Sequence, residues 1–306
     1  MPAQVRVFAP GSVGNVGPGF DVLGLAVGGR GDTVSAERIA GSEVIIADPG
    51  HPSLPSTASR HTSGIAAYHV LRRAAAGFGV RLRVEKGLPL SGGQGGSAAS
   101  AVAGAVAANL LLDTPLANSD LLAAALEAEA VVSGRHADNV VAILLGGLVL
   151  IRSLEPLDLV RIPVPAALQV VLAHPDQAMA TREGRAVLPD LVPREDAVHQ
   201  AAQVGALVAA ACAGDLELLG RAIDDRIAEP FRAPLLTGFR EAKRAALAAG
   251  AFGCSISGSG PTAFALVGDA GSGERVAAAM REAYRRAGIG CETRVARPDL
   301  EGARQV

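Results

Sequence analysis

Pro89-Leu-Ser-Gly-Gly-Gln-Gly-Gly-Ser-Ala-Ala-Ser100 decides how this chain is read. Twelve residues hold four glycines and three serines, then run into an apolar, helix-forming stretch from Ala98 to Leu112. Glycine lets the backbone come close to a ligand, and the free N–H groups of a first helical turn point the same way as the helix dipole. Such a turn is built to hold an anion, and phosphate is the expected guest. A Walker-type loop is excluded, because the two lysines, Lys86 and Lys243, stand in no G-x-x-x-x-G-K-[ST] context. The dinucleotide fingerprint is not matched either, since the spacing and the later ribose-binding acid are missing.

Outward from this loop, Val80–Glu85 alternates as a strand before it, and Thr62–Ala76 reads as a helix. Val5–Ala9 is an expected strand that leads into a second glycine-rich loop, Pro10–Asp21. Thr33–Arg38 and Glu43–Ala47 read as strands of a meander, and Pro49–Ser59 as a surface loop. After the loop helix, Ser119 is the expected N-cap of a helix to about Val132, followed by a polar loop, Ser133–Asn139. Leu148–Arg152, Leu159–Ile162 and Gln169–Ala173 are expected strands. Helices follow over Thr181–Leu188, Arg194–Ala213, Leu216–Ala228 and Phe239–Ala249. Phe252–Ser257 and Thr262–Val267 are strands around a third glycine loop, Gly258–Pro261; residues 271–287 form the last helix and Cys291–Val295 the last strand. Three prolines in 155–166 mark the expected division into residues 1–158 and 159–306, and the class is α+β in two parts.

Composition narrows the function. The 306 residues are 49% hydrophobic and 19% charged, with a net charge of −2. No basic run or aromatic-interleaved patch is present, so nucleic acid is not an expected partner. The longest apolar run, Val140–Ile151, contains Gly146 and Gly147 and is too short to span a bilayer. Three scattered cysteines and the absence of a signal-like N-terminus point to a reducing, cytoplasmic setting.

A single glycine cluster is as often a tight turn as a binding loop. Three of them, each with serines or an asparagine, suggest one large polyanionic site. Phosphoryl transfer needs a metal to neutralise charge, and hard oxygen ligands to hold it. Ser97 at the helix start is a natural hydroxyl ligand. Glu127 and Glu129 lie two apart on an apolar helix, so only one of them can face the site. His136, Asp138 and Asn139 are pocket groups or simply loop residues.

At these residues the chain resembles the GHMP kinases, the superfamily of galactokinase, homoserine kinase, mevalonate kinase and phosphomevalonate kinase. Asn15-x-Gly-Pro-Gly-Phe-Asp21, the loop 89–100, His136-Ala-Asp-Asn139 and Gly258-Ser-Gly-Pro-Thr262 stand in the order of its three motifs. Within it, the first motif together with His136-x-Asp-Asn139 is similar to the homoserine kinases. The resemblance spans about residues 5 to 295. It implies an N-terminal α+β domain carrying the phosphate loop and a ferredoxin-like C-terminal α+β domain, with the site in the cleft between them.

The resemblance also implies ATP and Mg2+ as cofactors, and transfer to the side-chain hydroxyl of L-homoserine on the route to threonine. By matching position Pro89, Leu90, Ser91, Gly92, Gly93, Gln94, Gly95, Gly96, Ser97, Ala98, Ala99 and Ser100 wrap the ATP phosphates, and Ser97 and Glu129 hold magnesium. Asn15, Asp21, His136 and Asn139 line the homoserine end. Thr181 and Arg185 in a T-x3-R pattern, and Arg232 after Glu229-Pro, supply a clamp in which two guanidinium groups take the substrate carboxylate. A surface salt bridge is the plainer role for each arginine. Asp21, Asn139 and Arg185 are the implied catalytic set. Asp21 either orients the hydroxyl or braces its own glycine loop. A homodimer is implied, and neither a membrane nor nucleic acid.

Two residues depart from the family loop Gly-Leu-Gly-Ser-Ser-Ala: Gln94 stands for the leucine and Gly96 for the first serine. The expectation is an altered nucleotide affinity with the site still working. Asn139 stands where many relatives carry an aspartate, and an asparagine is no general base. The implied mechanism is direct in-line attack, with catalysis by positioning and charge stabilisation. Two other readings compete: a kinase of this fold for another small alcohol, such as mevalonate or a sugar, and a silent nucleotide or amino-acid sensor.

Overall fold

The computed structural model describes residues 3–132, 134 and 136–306. Its elements, in chain order, are β1 (Gln4–Gly14), β2 (Leu23–Ile39), β3 (Val44–Asp48), α1 (Thr62–Arg73), β4 (Gly79–Glu85), α2 (Gly96–Leu110), α3 (Asn118–Val132), α4 (Ala137–Leu145), β5 (Leu148–Leu154) and β6 (Leu157–Ile162). There follow β7 (Gln169–Pro175), α5 (Thr181–Ala186), α6 (Arg194–Ala213), α7 (Leu216–Arg221), α8 (Glu229–Arg232), α9 (Phe239–Ala248), β8 (Gly253–Ile256), β9 (Ala263–Val267), α10 (Ala270–Arg286), β10 (Cys291–Ala296) and β11 (Arg304–Gln305).

The first sheet runs β11-β1-β2-β4-β3, with β5 and β6 added along β2. Val5, Val7 and Ala9 of β1 and Val80, Leu82 and Val84 of β4 alternate inward, as period-2 burial requires. They pack against α1 to α4. The centre of that layer is α2, whose alanines at 98, 99, 101, 103, 105, 107 and 108 are all buried. Small side chains let neighbouring helices approach from several sides and keep helix propensity high.

The second sheet, β10-β7-β9-β8, is antiparallel throughout. By chain order its strands lie 4-1-3-2, with α10 between the last two; this is the ferredoxin-like arrangement that the resemblance implied. Both faces are covered. Val171 and Ala173 of β7 look toward α9 and α10, while Val170 and Leu172 look toward α6, α7 and the β2–β5 edge of the first sheet. The two sheets therefore share a core.

Four local expectations differ. Pro10–Gly14 is strand, because β1 continues against β2 through a register shift at Pro10/Gly11. The expected meander is not formed: β3 pairs parallel with β4, at the edge. His136 is the N-cap of a helix whose buried residues Ala137, Val140, Val141 and Leu144 have helical spacing; Asn139 is thus helical, and Ser133 lies outside the described residues. The helix expected over 216–228 stops at Arg221, since Asp225 turns its carboxylate onto the backbone N–H groups of Ile227, Ala228 and Glu229. Beyond the expected elements, β11 brings the C-terminus back to β1, secured by Arg304 on Asp299.

Candidate active site

The phosphate loop leaves β4 at Glu85 and enters α2 at Gly96. Gly95, the N-cap residue, is left-handed at φ 72°. A Cβ there would collide with Ser12 Oγ and stand 3.3 Å from Asn139 Oδ1, so both space and backbone demand glycine. Asn139 is thereby placed beside the loop.

Behind the loop lies a buried ion pair. Asp32, fully buried on β2, takes the Lys86 ammonium, whose side chain is 7% exposed. The same carboxylate accepts Ser100 Oγ at 2.6 Å and the N–H groups of Gly87 and Leu88 at 3.1 and 3.2 Å. Lys86 Nζ also donates to the Gly96 carbonyl at 2.8 Å and to Ser100 Oγ at 3.0 Å. One carboxylate and one ammonium thus hold both ends of the loop.

The third motif grips its middle. Ser257 Oγ donates to the Gly93 carbonyl at 2.6 Å, and Thr262 Oγ1 to that of Gly92 at 2.5 Å. Gln94 is buried; its amide donates to Thr262 Oγ1 at 3.3 Å, and its carbonyl accepts Arg294 Nη2 at 3.2 Å. A leucine could make neither bond, so the departure at 94 ties the loop to the second sheet. Pro89, Leu90, Ser91 and Gly92 complete the turn, while Ala98, Ala99 and Ser100 of α2 are buried in the surrounding core.

Ser97, in the first turn of α2, donates Oγ to Glu129 Oε2 at 3.1 Å. Glu129 is buried on α3 and comes to the loop, whereas Glu127, two residues earlier, is on another face and is half-buried. A hydroxyl and a carboxylate beside a phosphate loop are hard oxygen donors. They fit Mg2+, which takes few protein ligands and completes its shell with phosphate and water. Among the described residues no cluster of three or more His, Cys, Asp or Glu side chains could hold a metal.

The other implied residues converge across the β1–β2 loop. Asn15, Val16 and Asp21 all have positive φ, at 65°, 48° and 59°. Such non-glycine strain persists only where surroundings enforce it. Asp138 does so, accepting Asn15 N–H at 3.0 Å and Asn139 Nδ2 at 3.2 Å. Asn15 Oδ1 accepts Asp21 N–H at 3.0 Å, and its Nδ2 donates to the Gly258 carbonyl at 3.1 Å. Burial, and then the Asp21 charge, push the Asp138 carboxyl up to about 6. Asn139 Oδ1 accepts Ser12 Oγ at 2.8 Å.

Arg185 is paired with Asp21 Oδ1, and His136 Nδ1 stands 3.9 Å from the same oxygen. The Arg185 and Arg232 guanidinium groups lie 5.1 and 5.5 Å from the Phe20 ring centroid. Arg232 is 3% exposed, so it is no surface salt bridge. Its Nε donates to the Gly184 carbonyl and its Nη1 to that of Gly258, at 2.8 and 2.9 Å. Burial and the neighbouring Arg185 push its pKa down. Thr181 begins α5 one turn before Arg185 and joins this network by no hydrogen bond among the described residues.

Sequence reasoning missed Asp32, Lys86, Ser12 and the Phe20 platform; Asp138, left open as a pocket group or a loop residue, is buried in the network. Lys86, as one of only two lysines and three residues before the loop, was the readable signal.

The GHMP kinases N-terminal domain family matches residues 62–147, and the GHMP kinases C-terminal family residues 207–286. A homoserine kinase of Xylella fastidiosa is 45% identical over 305 residues, covering 98% of this chain and 94% of its own length. One from Chlorobium phaeobacteroides is 44% identical over 92% of each. The chain belongs to the homoserine kinase family of the GHMP kinases. The crystal structure of the homoserine kinase from Cytophaga hutchinsonii superposes with a TM-score of 0.95 at 40% identity, over 100% of this chain and 98% of that one. Membership in the family accounts for the order of the three glycine motifs along the chain. No described helix is long and apolar enough to cross a membrane.

Proposed function

We propose that the chain transfers the γ-phosphoryl group of ATP to the side-chain hydroxyl of L-homoserine, giving O-phospho-L-homoserine and ADP, a step toward threonine. The observation that carries this reading is the meeting of two halves: Gly95, at the start of the phosphate loop helix, abuts Asn139 of the Asn15–Asp21–His136–Arg185 cluster. A phosphate on the loop N–H groups then stands next to a polar cluster suited to an amino acid. Arg185, and Arg232 through its remaining Nη2, present cationic donors for the substrate carboxylate, braced on Phe20.

Asn139 cannot take a proton as a base. Its amide is oriented by Ser12 and Asp138, so its role is to position the hydroxyl. The hydroxyl attacks the γ-phosphorus as the bond to the β-phosphate oxygen breaks; ADP leaves, and the proton passes to phosphate or solvent. Asp21, already paired with Arg185, sets the clamp and faces the hydroxyl end. Ser97 and Glu129 would hold magnesium, which supplies charge neutralisation between the β- and γ-phosphates. The soluble expectation of a cytoplasmic homodimer belongs to this same reading.

ADP release with ATP and magnesium, in parallel with L-homoserine, mevalonate, galactose and threonine, tests it. Stimulation by homoserine alone is the expected result. Stimulation by a different alcohol transfers the reading to that substrate, and no stimulation of an ATP-binding protein favours a silent sensor.

A further inference from the structure

Adjacent residues of the phosphate loop point to opposite sides. Gly95 faces Asn139 and the reacting cluster, while the Gln94 side chain turns toward Thr262 and Arg294. On that rear side, between the two sheets, is a cavity of about 270 Å3. That is many times the ~30 Å3 share of one water. Leu88, Pro89 and Leu172 of β7 supply apolar lining; Arg30 and Glu292, both half-exposed, and the half-buried Arg294 line it as well.

Arg294 is the unusual group. It is half-buried, its Nη1 and Nη2 donate only to the neutral oxygens of Gly28 and Gln94, and its buried Nε has no partner. Among the described residues no carboxylate forms an ion pair with it, because Glu292 is occupied by Arg30 at the rim. Burial, with Arg30 adding to it and Glu292 opposing it, pushes its pKa down to about 10. Lys86, also on the wall, is neutralised by Asp32, and His174 is a half-buried imidazole whose pKa burial lowers. The cavity is thus lined by a half-buried guanidinium that makes no direct ion pair and feels only the longer-range attraction of Glu292, flanked by apolar surface. A half-buried cation with no direct ion pair keeps part of its desolvation cost, and a bound oxyanion is what relieves it.

We propose that this cavity is a second binding site, separate from the nucleotide cleft, for a small molecule bearing a carboxylate or phosphate, held by Arg294. Its occupancy reaches the phosphate loop through Gln94. An anion that draws Arg294 Nη2 away frees the Gln94 carbonyl, one of the ties that fix the loop, and weakens nucleotide binding. A leucine at this position, as in the family loop, lacks that tie.

The full chain, saturated with a non-hydrolysable ATP analogue and magnesium to fill the phosphate loop, is titrated calorimetrically with inorganic phosphate and, separately, with succinate. The two arms distinguish phosphate from carboxylate as the recognised group. One-to-one binding of either is expected, weakened tenfold or more by Arg294→Met and by less in Arg294→Lys. Arg30→Gln, at the half-exposed rim, gives a second variant should the methionine protein not fold, with an expected loss of about threefold. The bound anion should weaken the analogue's affinity at least threefold in the parent chain and leave it unchanged in Gln94→Leu. No binding by either anion, binding indifferent to Arg294 and Arg30, or binding abolished by the saturating analogue overturns the site. Intact binding with equal effects in parent and Gln94→Leu overturns the coupling. None of these readouts involves turnover or homoserine, so they stand or fall apart from the proposed reaction.

Discussion

Asp32→Asn removes one charge from the buried pair behind the phosphate loop while keeping the shape of the side chain. Asp32 is fully buried and serves Lys86, Ser100 and two backbone N–H groups. Asparagine retains one oxygen, so two of those four donors lose their acceptor, and the Lys86 ammonium stays buried without its counter-charge. Breaking one side of a buried pair costs about 3–5 kcal/mol. At about 2–4 °C per kcal/mol for a chain of this size, the melting temperature should fall by about 10 °C. Lys86 also holds the Gly96 carbonyl, so the loop should loosen and the KM for ATP should rise more than that for homoserine. Calorimetric melting and steady-state ADP release measure the two effects. The double replacement Asp32→Leu with Lys86→Met should recover much of the stability, because no unpaired charge remains, yet keep the raised KM for ATP. A melting shift below about 2 °C, with the KM for ATP unchanged, would refute the assignment of this pair as the anchor of the loop.

Arg185→Met should raise the KM for homoserine by about 10- to 100-fold, the worth of one charge-assisted hydrogen bond of about 1.5–3 kcal/mol, and change that for ATP little; equal effects on both would remove it from the clamp. Arg232 is the poorer probe, because its braces on Gly184 and Gly258 make truncation a folding defect as well. Asp138 gives a pH signature. Its carboxyl is raised to about 6, against about 3.9 in the unfolded chain. Between those values the folded state holds the proton more tightly, so the contribution is full below about pH 4 and is lost as pH rises through about 6. Two pH units correspond to about 3 kcal/mol. In urea unfolding from pH 4 to 7, Asp138→Asn should lack this fall in stability, and a parallel slope in both proteins would contradict it.

The sequence was most legible where local chemistry sets the outcome. The glycine-serine run before an alanine-rich helix, the period-2 burial of β4 and of the first half of β1, and the 20-residue α6 follow from propensity and pattern. It was least legible where partners come from far along the chain. Pro10–Gly14 became strand only because Gly31 and residues 24–27 of β2 pair with it, and the parallel β3 and the two-residue β11 exist through edges supplied by β4 and β1. Helix α4 was legible in the spacing of Ala137, Val140, Val141 and Leu144, but was hidden by the polar residues before it.

The same division holds at the site. The glycine-rich loop, the candidate Ser97 and Glu129, and the arginines of the proposed carboxylate clamp are residue types at readable spacings. Of Glu127 and Glu129, only packing of α3 decided that the second meets Ser97. That Arg232 is a buried brace, that Asp32 anchors the loop from 68 residues before Ser100, and that Gln94 answers to Arg294 from 200 residues away are long-range facts. The chain by itself determined which short segments turn, cap and offer free N–H groups, because those depend on neighbours within a few residues. Only the tertiary structure decided which charges are buried and by whom they are met, because burial and counter-charge are properties of the assembled core.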